Sequence, residues 1–469
     1  MIMMIDENML QYALFLAQGL LVASGIFSVM HKNKKAQFAI STILLVAIAL
    51  TASSLFASDS SIVPFSAFRI SQFSMFFISL FSILLVLVNI ISYEYSQDYI
   101  SFSALFGFTI AGMYVVTMAN SLISVFLGIE LMALPTAFMI MINGKQGIES
   151  AVKLFVMAAT AIAAFSFALA LVFPFNAQLS LTALHIGSGQ GNYLVLLAVV
   201  LFVISLAFEA SLFPFNLWVP DVYQGAQGNI TAMMSGINKK VAFVAIMEVF
   251  FIALVPLSSV FSQLFIALAI ATMFYGNIVA LVQDNVKRLF AYSSISQAGY
   301  IMIGIAVATQ YGIEASIFQI VAHALAIIAI FAVILWLEEN NIKSLKDYTA
   351  LSRRNGFAAF TLTILMLSLI GIPPLIGFVG KFLLFTSAIY SNLLFLAAIG
   401  IFNSFISVYY YAKVIMAMYS KKEEVRSLRM GWGVSVVSVI SVIAVLVLGL
   451  VPQFLIAAAS QASAALLAI

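Results

Sequence analysis

The sequence predicts an all-α polytopic membrane protein with about 14 transmembrane helices, and its composition supports that fold class. Hydrophobic residues make up 64% of the 469 positions, charged residues make up only 8%, and the mean hydropathy is +1.16. Soluble domains carry about a quarter charged residues, so a water-soluble fold could not bury this much apolar surface. One crossing takes about 20 residues, which leaves little chain for anything else. The composition therefore excludes a fused nucleotide-, flavin- or nucleic-acid-binding domain.

Cofactor chemistry is not expected in this chain. It contains no cysteine, so thiolate metal sites, iron–sulfur clusters and disulfides cannot be built from its residues. The three histidines, His31, His185 and His323, are scattered and form no ligand pair at metal spacing. We therefore expect neither a metal nor another cofactor here.

The predicted spans follow from apolar segments separated by short polar stretches. In chain order they are 9–29, 38–57, 71–93, 99–118, 120–142, 150–173, 194–222, 229–254, 260–281, 289–308, 314–337, 357–391, 394–419 and 433–457. Two of these spans contain prolines, at Pro214 and Pro220 and at Pro373 and Pro374, and each counts as one interrupted helix.

The two interrupted spans also predict the domain organisation. Interrupted helices at matching positions in two halves of a chain are typical of transporters with inverted repeats, which bind their ion near the membrane midplane. We therefore expect two inverted five-helix repeats, each with one broken helix. The predicted boundaries are 1–98 for three N-terminal helices, 99–257 and 258–420 for the two repeats, and 421–469 for the last helix.

Positive charges are distributed unevenly between the two ends of the predicted bundle. Only Arg69 lies in a loop that follows an even-numbered span. Loops after odd-numbered spans contain Lys32, Lys34, Lys35, Lys145, Lys287, Arg288, Lys343, Lys346, Arg353, Arg354, Lys421, Lys422, Arg426 and Arg429. Because cytoplasmic loops are enriched in Lys and Arg, both termini are expected on the non-cytoplasmic side.

Ionisable residues inside apolar spans are the candidate functional residues, because charges are costly in lipid and are retained where they act. The candidates are Glu130, Lys153, Glu209, Lys239, Lys240, His323 and Lys381.

Other interpretations of these and neighbouring residues stay open. Lys153 and Lys413 lie near span ends and could extend to the membrane surface, and His323 could be a hydrogen-bonded packing residue. Neighbouring helical residues point about 100° apart, so we expect one of the two adjacent lysines to face the interior. Glu248 lies eight residues after Lys240 and could be its structural partner.

The breaks and the charges together favour a proton path. Glu209 precedes Pro214 by five residues, and Lys381 follows Pro374 by seven. Backbone freed by proline is tolerated in a membrane where it lines a watery cavity. Lysine and glutamate in such an interior can exchange protons. Sodium prefers several carboxylate and carbonyl oxygens, with which a central lysine would compete.

Three segments resemble a known family. They are PFNLWVPDVYQGA at 214–226, NIVALVQDNVKRLFAYSSISQAGY at 277–300 and GIPPLIGFVGKFLLF at 371–385. In this order they resemble the subunit N type of proton-pumping NADH:quinone oxidoreductase, or complex I, which is related to the Mrp antiporter subunits. The resemblance extends over residues 99–420, and the three motifs together are highly specific.

The resemblance implies a 14-helix antiporter-like fold in the membrane arm of a redox complex in a prokaryotic plasma membrane. The implied partners are other membrane-arm subunits, through them a peripheral redox arm, and the lipid bilayer, without nucleic acid. The implied activity is proton movement driven by electron transfer to quinone, with NADH, a deazaflavin or ferredoxin as donor and no redox centre in this chain. By motif position, the family's proton path falls on Glu130, Lys153, Glu209, Lys240 and Lys381. The alternatives are a subunit of an Mrp-type Na⁺/H⁺ antiporter, a self-contained solute transporter or a structural scaffold.

Glu209 departs from the pattern of the family, which has a lysine in this seventh helix. Asn216 replaces a histidine, and the motif ends in Gln224 to Gln227 instead of EGAP. Two carboxylates, Glu130 and Glu209, would then share a site where like charges cannot both stay ionised. Three interpretations stay open. One carboxylate is protonated at rest, a lysine such as Lys153 or Lys239 has taken over the pairing, or this half has lost pumping.

Overall fold

The computed structural model describes residues 7–58, 62–65, 67–175, 177–182, 193–421 and 426–468, so His185 and Lys422 lie outside the described residues. The α-helices are α1 (Glu7–His31), α2 (Lys34–Ala57), α3 (Gln72–Tyr95), α4 (Tyr99–Thr117), α5 (Leu122–Met141), α6 (Gly144–Val172), α7 (Tyr193–Glu209), α8 (Trp218–Gly225), α9 (Gly228–Met233), α10 (Lys239–Glu248), α11 (Ser258–Leu281), α12 (Val286–Val307), α13 (Gln310–Glu339), α14 (Leu351–Arg354), α15 (Gly356–Ile370), α16 (Ile376–Tyr390), α17 (Leu394–Tyr419), α18 (Trp432–Leu450) and α19 (Gln453–Leu467).

The described residues confirm an all-α multi-pass membrane protein. Eleven helices among them are long and apolar enough to cross a membrane, and α7, α15, α16 and α19 are shorter apolar helices. The two interrupted spans are pairs of helices, α7 with α8 and α15 with α16. The span predicted at 433–457 is also divided, because α18 ends at Leu450 and α19 begins at Gln453. The inverted repeats and the domain boundaries stay predictions.

A β-hairpin follows α2 where the sequence predicts only a loop. Strand β1 (Ile62–Phe65) pairs antiparallel with β2 (Phe68–Ile70). Arg69 N–H donates to Met118 O at 2.8 Å, which ties the hairpin to the end of α4. β-branched and aromatic residues favour strands, but a segment this short gives little periodic signal in the sequence.

By its contacts the chain divides into two compact units. The first unit contains Met1–Leu206, Val241–Ser258 and Gln461–Ile469. Its best-packed helix pair is α4 with α5, where a Cβ on Gly112 would lie 2.4 Å from Met132 N, and one on Gly128 would lie 2.8 Å from Val116 N. Small residues let membrane helices approach closely, because packing replaces the hydrophobic effect in lipid.

Gly112→Val is therefore expected to destabilise the first unit by about 1–3 kcal/mol, because the added side chain meets rigid backbone. Thermal aggregation of the detergent-solubilised protein, followed by fluorescence-detected size exclusion, measures the effect as a lower melting temperature. Gly19→Val is the matched control, since no atom lies within 4 Å of a Cβ there. Equal melting temperatures for both variants would contradict the close packing of α4 and α5.

The second unit contains Ala207–Lys240 and Ser259–Ser460. Its centre is the pair α12 and α13, and both helices are buried over nearly their whole length. Gly236, in the π-helical turn Met234–Asn238 before α10, packs against α13, where its Cβ would lie 2.4 Å from Ile328 Cγ1. An enclosed helix in lipid is expected to be apolar, yet Ser293, Ser294, Ser296 and Gln297 on α12 are all fully buried. The polar interior of the protein is therefore concentrated along α12.

Candidate functional site

The first broken helix ends at Glu209. The chain turns at Ser211, whose φ of 61° lies in the left-handed region. Leu212 N–H donates to Ala207 O at 2.8 Å, and Phe213 N–H donates to the Thr272 hydroxyl at 3.0 Å. These bonds satisfy backbone donors that the break releases, as a membrane interior requires. The break lies where Pro214 predicts it, and it places the half-buried Glu209 at the C-terminal end of α7.

The two adjacent lysines at the start of α10 both point into protein. Their exposed fractions are 1% for Lys239 and 0% for Lys240. The expectation that only one of them faces the interior is wrong, because all residues from 239 to 251 are buried and this helix has no outer face there. Lys239 Nζ donates to Ser294 Oγ at 2.8 Å and lies 5.0 Å from the centre of the Tyr223 ring. The hydroxyl and the aromatic face together compensate a buried ammonium group.

His323 lies on α13 and is fully buried. It is close enough to Lys239 and Lys240 to interact electrostatically with both. Within the described part of the chain, neither ring nitrogen of His323 has a hydrogen-bond partner. Buried polar atoms without partners are rare in native proteins, and an ordered water often satisfies them. The roles of His323 as a proton carrier or as a packing residue hydrogen-bonded to water both stay predictions.

Lys381 lies beside the second broken helix. Helix α15 ends at Ile370, and Gly371 follows with a φ of 95°, a left-handed value that glycine adopts without strain. Lys381 Nζ donates to Ile370 O at 2.9 Å and to Ser404 Oγ at 2.8 Å. It also lies 4.6 Å from the centre of the Tyr300 ring. A cation at the C-terminal end of a helix is favoured by the helix dipole.

A largely apolar cavity of about 430 Å³ adjoins Lys381. Phe378 and Phe382, one and two turns from the break, line it together with Ser404. Lys381 therefore has two hydrogen-bond acceptors, Ile370 O and Ser404 Oγ, and lies beside a space lined mainly by apolar side chains. In such surroundings a change in a neighbouring charge acts strongly, because the effective dielectric constant is low.

Polar side chains on α12 contact both groups, and the sequence did not predict them. Ser294, Gln297 and Tyr300 follow one another at intervals of three residues, so Gln297 is a helix-surface neighbour of each of the other two. Ser294 accepts from Lys239, Gln297 Oε1 accepts from Gln319 Nε2 at 3.0 Å, and the Tyr300 ring lies against Lys381. The available signal was the group of polar residues within this apolar span, Ser293, Ser294, Ser296 and Gln297.

The remaining candidates lie in the first unit. Glu130 is half-buried on α5. Lys153 is largely exposed on α6, with 47% of its side chain accessible, and forms an ion pair with Glu149 at 2.8 Å. A surface position suits the interpretation of Lys153 as a lysine that extends to the membrane surface. Roles for both residues in a proton path stay predictions.

Two of the sequence motifs are joined by the buried Lys287 and the partly exposed Arg288. Lys287 Nζ donates to Ala226 O at 2.7 Å and to Glu338 Oε2 at 2.8 Å. The next residue, Arg288, donates from Nη1 to Asp221 at 2.6 Å and to Gln224 at 2.9 Å. The Lys-Arg pair of α12 therefore fixes α8, which explains why the motifs at 214–226 and 277–300 occur together.

This arrangement defines a class of multi-pass membrane proteins, in which buried lysines lie beside helices broken within the membrane. The family model described as "NADH:quinone oxidoreductase/Mrp antiporter, TM" matches residues 119–407. The chain belongs to this family, as the three motifs predicted.

Relatives and a solved structure agree with the family. The chain is 33% identical over 405 residues to NADH-quinone oxidoreductase subunit N of Moorella thermoacetica, with 84% of this chain and 85% of that one covered. It is 34% identical over 414 residues to F(420)H(2) dehydrogenase subunit N of Methanosarcina mazei, with 84% of each chain covered. Respiratory complex I from Thermus thermophilus with bound aureothin contains a chain with a TM-score of 0.82 and 26% identity, with 95% of this chain and 98% of that one covered.

Proposed function

We propose that this chain is a proton-translocating membrane subunit of a complex I-like oxidoreductase, in which partner subunits transfer electrons to quinone. One observation carries the proposal: the second unit contains titratable side chains in its interior and beside its two broken helices. Lys239, Lys240, His323 and Lys381 are buried, and Glu209 is half-buried at the end of α7. Such residues inside a membrane mark ion pathways and proton relays.

The composition of the series favours protons over sodium. Lys239 and Lys381 hold their ammonium groups against hydroxyls and aromatic rings, at 2.8 Å from Ser294 and Ser404 respectively. A sodium site would need several oxygen ligands without a competing cation. A lysine can release and recover a proton, so each member can pass one on when a neighbouring charge changes.

The electrons move in other chains under this proposal. The relatives in Moorella and Methanosarcina are named for NADH and F(420)H(2), which supports one membrane subunit serving different donors. We infer that this chain has no redox centre of its own and lies in a prokaryotic plasma membrane, in the membrane arm. We further infer from its loop charges that both termini are non-cytoplasmic. Glu130 and Lys153 stay predicted members of the path.

Purification of the tagged chain from native membranes tests this function. We expect flavin and iron–sulfur spectra in the purified complex, and uptake of protons into liposomes when the complex reduces a soluble quinone. A complex without redox centres that instead exchanges H⁺ for Na⁺ across the liposome membrane would identify an Mrp-type antiporter and overturn the proposal.

A further inference from the structure

Two buried glutamines, Gln297 on α12 and Gln319 on α13, lie near residues that contact Lys239 and residues that contact Lys381. Gln297 is three residues from Ser294, which binds Lys239, and three residues from Tyr300, whose ring Lys381 faces. Residues three apart on a helix are neighbours on its surface. Gln297 is therefore the neighbour that Ser294 and Tyr300 share on α12.

Gln319 completes the pair from α13. It is 2% exposed, and its Nε2 donates to Gln297 Oε1 at 3.0 Å. Four residues further along α13 comes His323, which shares its helix face. A Cβ on Gly380 would lie 2.1 Å from Gln319 Oε1, so this amide fills the space that the glycine leaves next to Lys381. The Gln319 side chain thus extends to the second broken helix from the face of α13 that also carries His323.

The Gln297–Gln319 pair also forms a hydrogen bond to the end of α15, where the second broken helix is interrupted. Gln297 Nε2 donates to Leu369 O at 3.2 Å, and the next carbonyl, Ile370 O, accepts from Lys381. Both carbonyls lie in the last turn of α15, where intrahelical donors are missing. In the described structure Gln319 Oε1 has no hydrogen-bond partner, although it is buried. A buried acceptor of this kind is a position for an ordered water.

We propose that the Gln297–Gln319 amide pair positions the water through which protons pass between the Lys239–His323 group and Lys381. This inference rests on the proposed function and adds two positioning residues to it. A primary amide does not titrate at physiological pH, but it donates and accepts at once. The pair therefore holds a fixed orientation while the neighbouring groups change their charge, and Gln319 Oε1 accepts from the bridging water.

Gln319→Leu in the complete complex tests the inference. We expect the ratio of protons translocated per electron to fall at least threefold, while quinone reduction in detergent stays at the wild-type rate. The separate variant Gln319→Glu is expected to keep the wild-type ratio, because a protonated carboxyl group both donates and accepts a hydrogen bond, as the amide does. If the complex with Gln319→Leu does not assemble, Gln319→Asn takes its place. Asparagine holds its amide one carbon closer to the backbone, and the ratio of protons per electron is expected to fall in the same way.

Asn89→Leu is the matched control. Asn89 is a fully buried amide on α3 with hydrogen bonds to Ser41 and Tyr99, and its removal is expected to lower stability with an unchanged proton-to-electron ratio. A wild-type ratio in Gln319→Leu, together with a loss of translocation in Lys381→Met, would overturn the inference and leave the proposed function intact. A wild-type ratio in both variants would overturn the proposed function as well.

Discussion

Lys381→Met is expected to abolish proton translocation, with at least a tenfold lower rate, in a complex that still assembles. Methionine has a similar length but carries no proton, so the group beside the second break can no longer be charged and discharged. The substitution also removes the hydrogen bonds that Lys381 donates to Ile370 O and Ser404. Burial of an ammonium group costs desolvation energy that methionine does not incur, so unfolding is not the expected cause.

Lys381→Arg separates charge from proton exchange. Arginine keeps the positive charge and the donors but does not release its proton in a protein, so translocation is expected to stay low. Lys413→Met, on α17, removes a half-buried lysine that belongs to no part of the proposed path and serves as the control. Proton uptake into liposomes, followed with a pH-sensitive dye during quinone reduction, is the measurement. Normal uptake by Lys381→Met would remove this residue from the path.

The fold class and the broken helices could be predicted because the membrane imposes strong rules on sequence. Each crossing needs a long apolar stretch, and proline removes a backbone donor that lipid cannot replace. The prolines at Pro214 and Pro373 therefore indicate breaks that the structure contains at residues 210–217 and 371–375. The hairpin at Ile62–Ile70 and the division of the last span between α18 and α19 were missed, since short elements give little periodic signal.

The arrangement of the candidate site was less predictable because it depends on tertiary packing. A lysine or glutamate in an apolar span indicates a functional site because a charge in lipid has a high free-energy cost. A serine or glutamine there gives no such indication. Gln297 and Gln319 belong to helices separated along the chain, and only packing brings their amides to 3.0 Å. The rule that neighbouring residues point apart also failed for Lys239 and Lys240, because it indicates direction and says nothing of what encloses the helix.

Glu209→Gln is expected to lower proton translocation at least tenfold. The family's lysine at this position can be replaced by a carboxyl group if that group also takes up and releases a proton, and glutamine keeps its size but cannot titrate. Glu209 lies at the C-terminal end of α7, where the helix dipole disfavours a negative charge. Proton uptake by the reconstituted complex during quinone reduction measures the effect.

Glu314→Gln on α13 provides the control, because Glu314 is a buried carboxyl group of the same unit outside the proposed path. It is expected to leave translocation unchanged. If Glu209→Gln pumps normally while Lys239→Met does not, the proton-carrying role has moved from the seventh helix to a lysine. If both variants pump normally, neither Glu209 nor Lys239 carries protons. The two substitutions together therefore distinguish a proton-carrying Glu209 from a role taken over by Lys239.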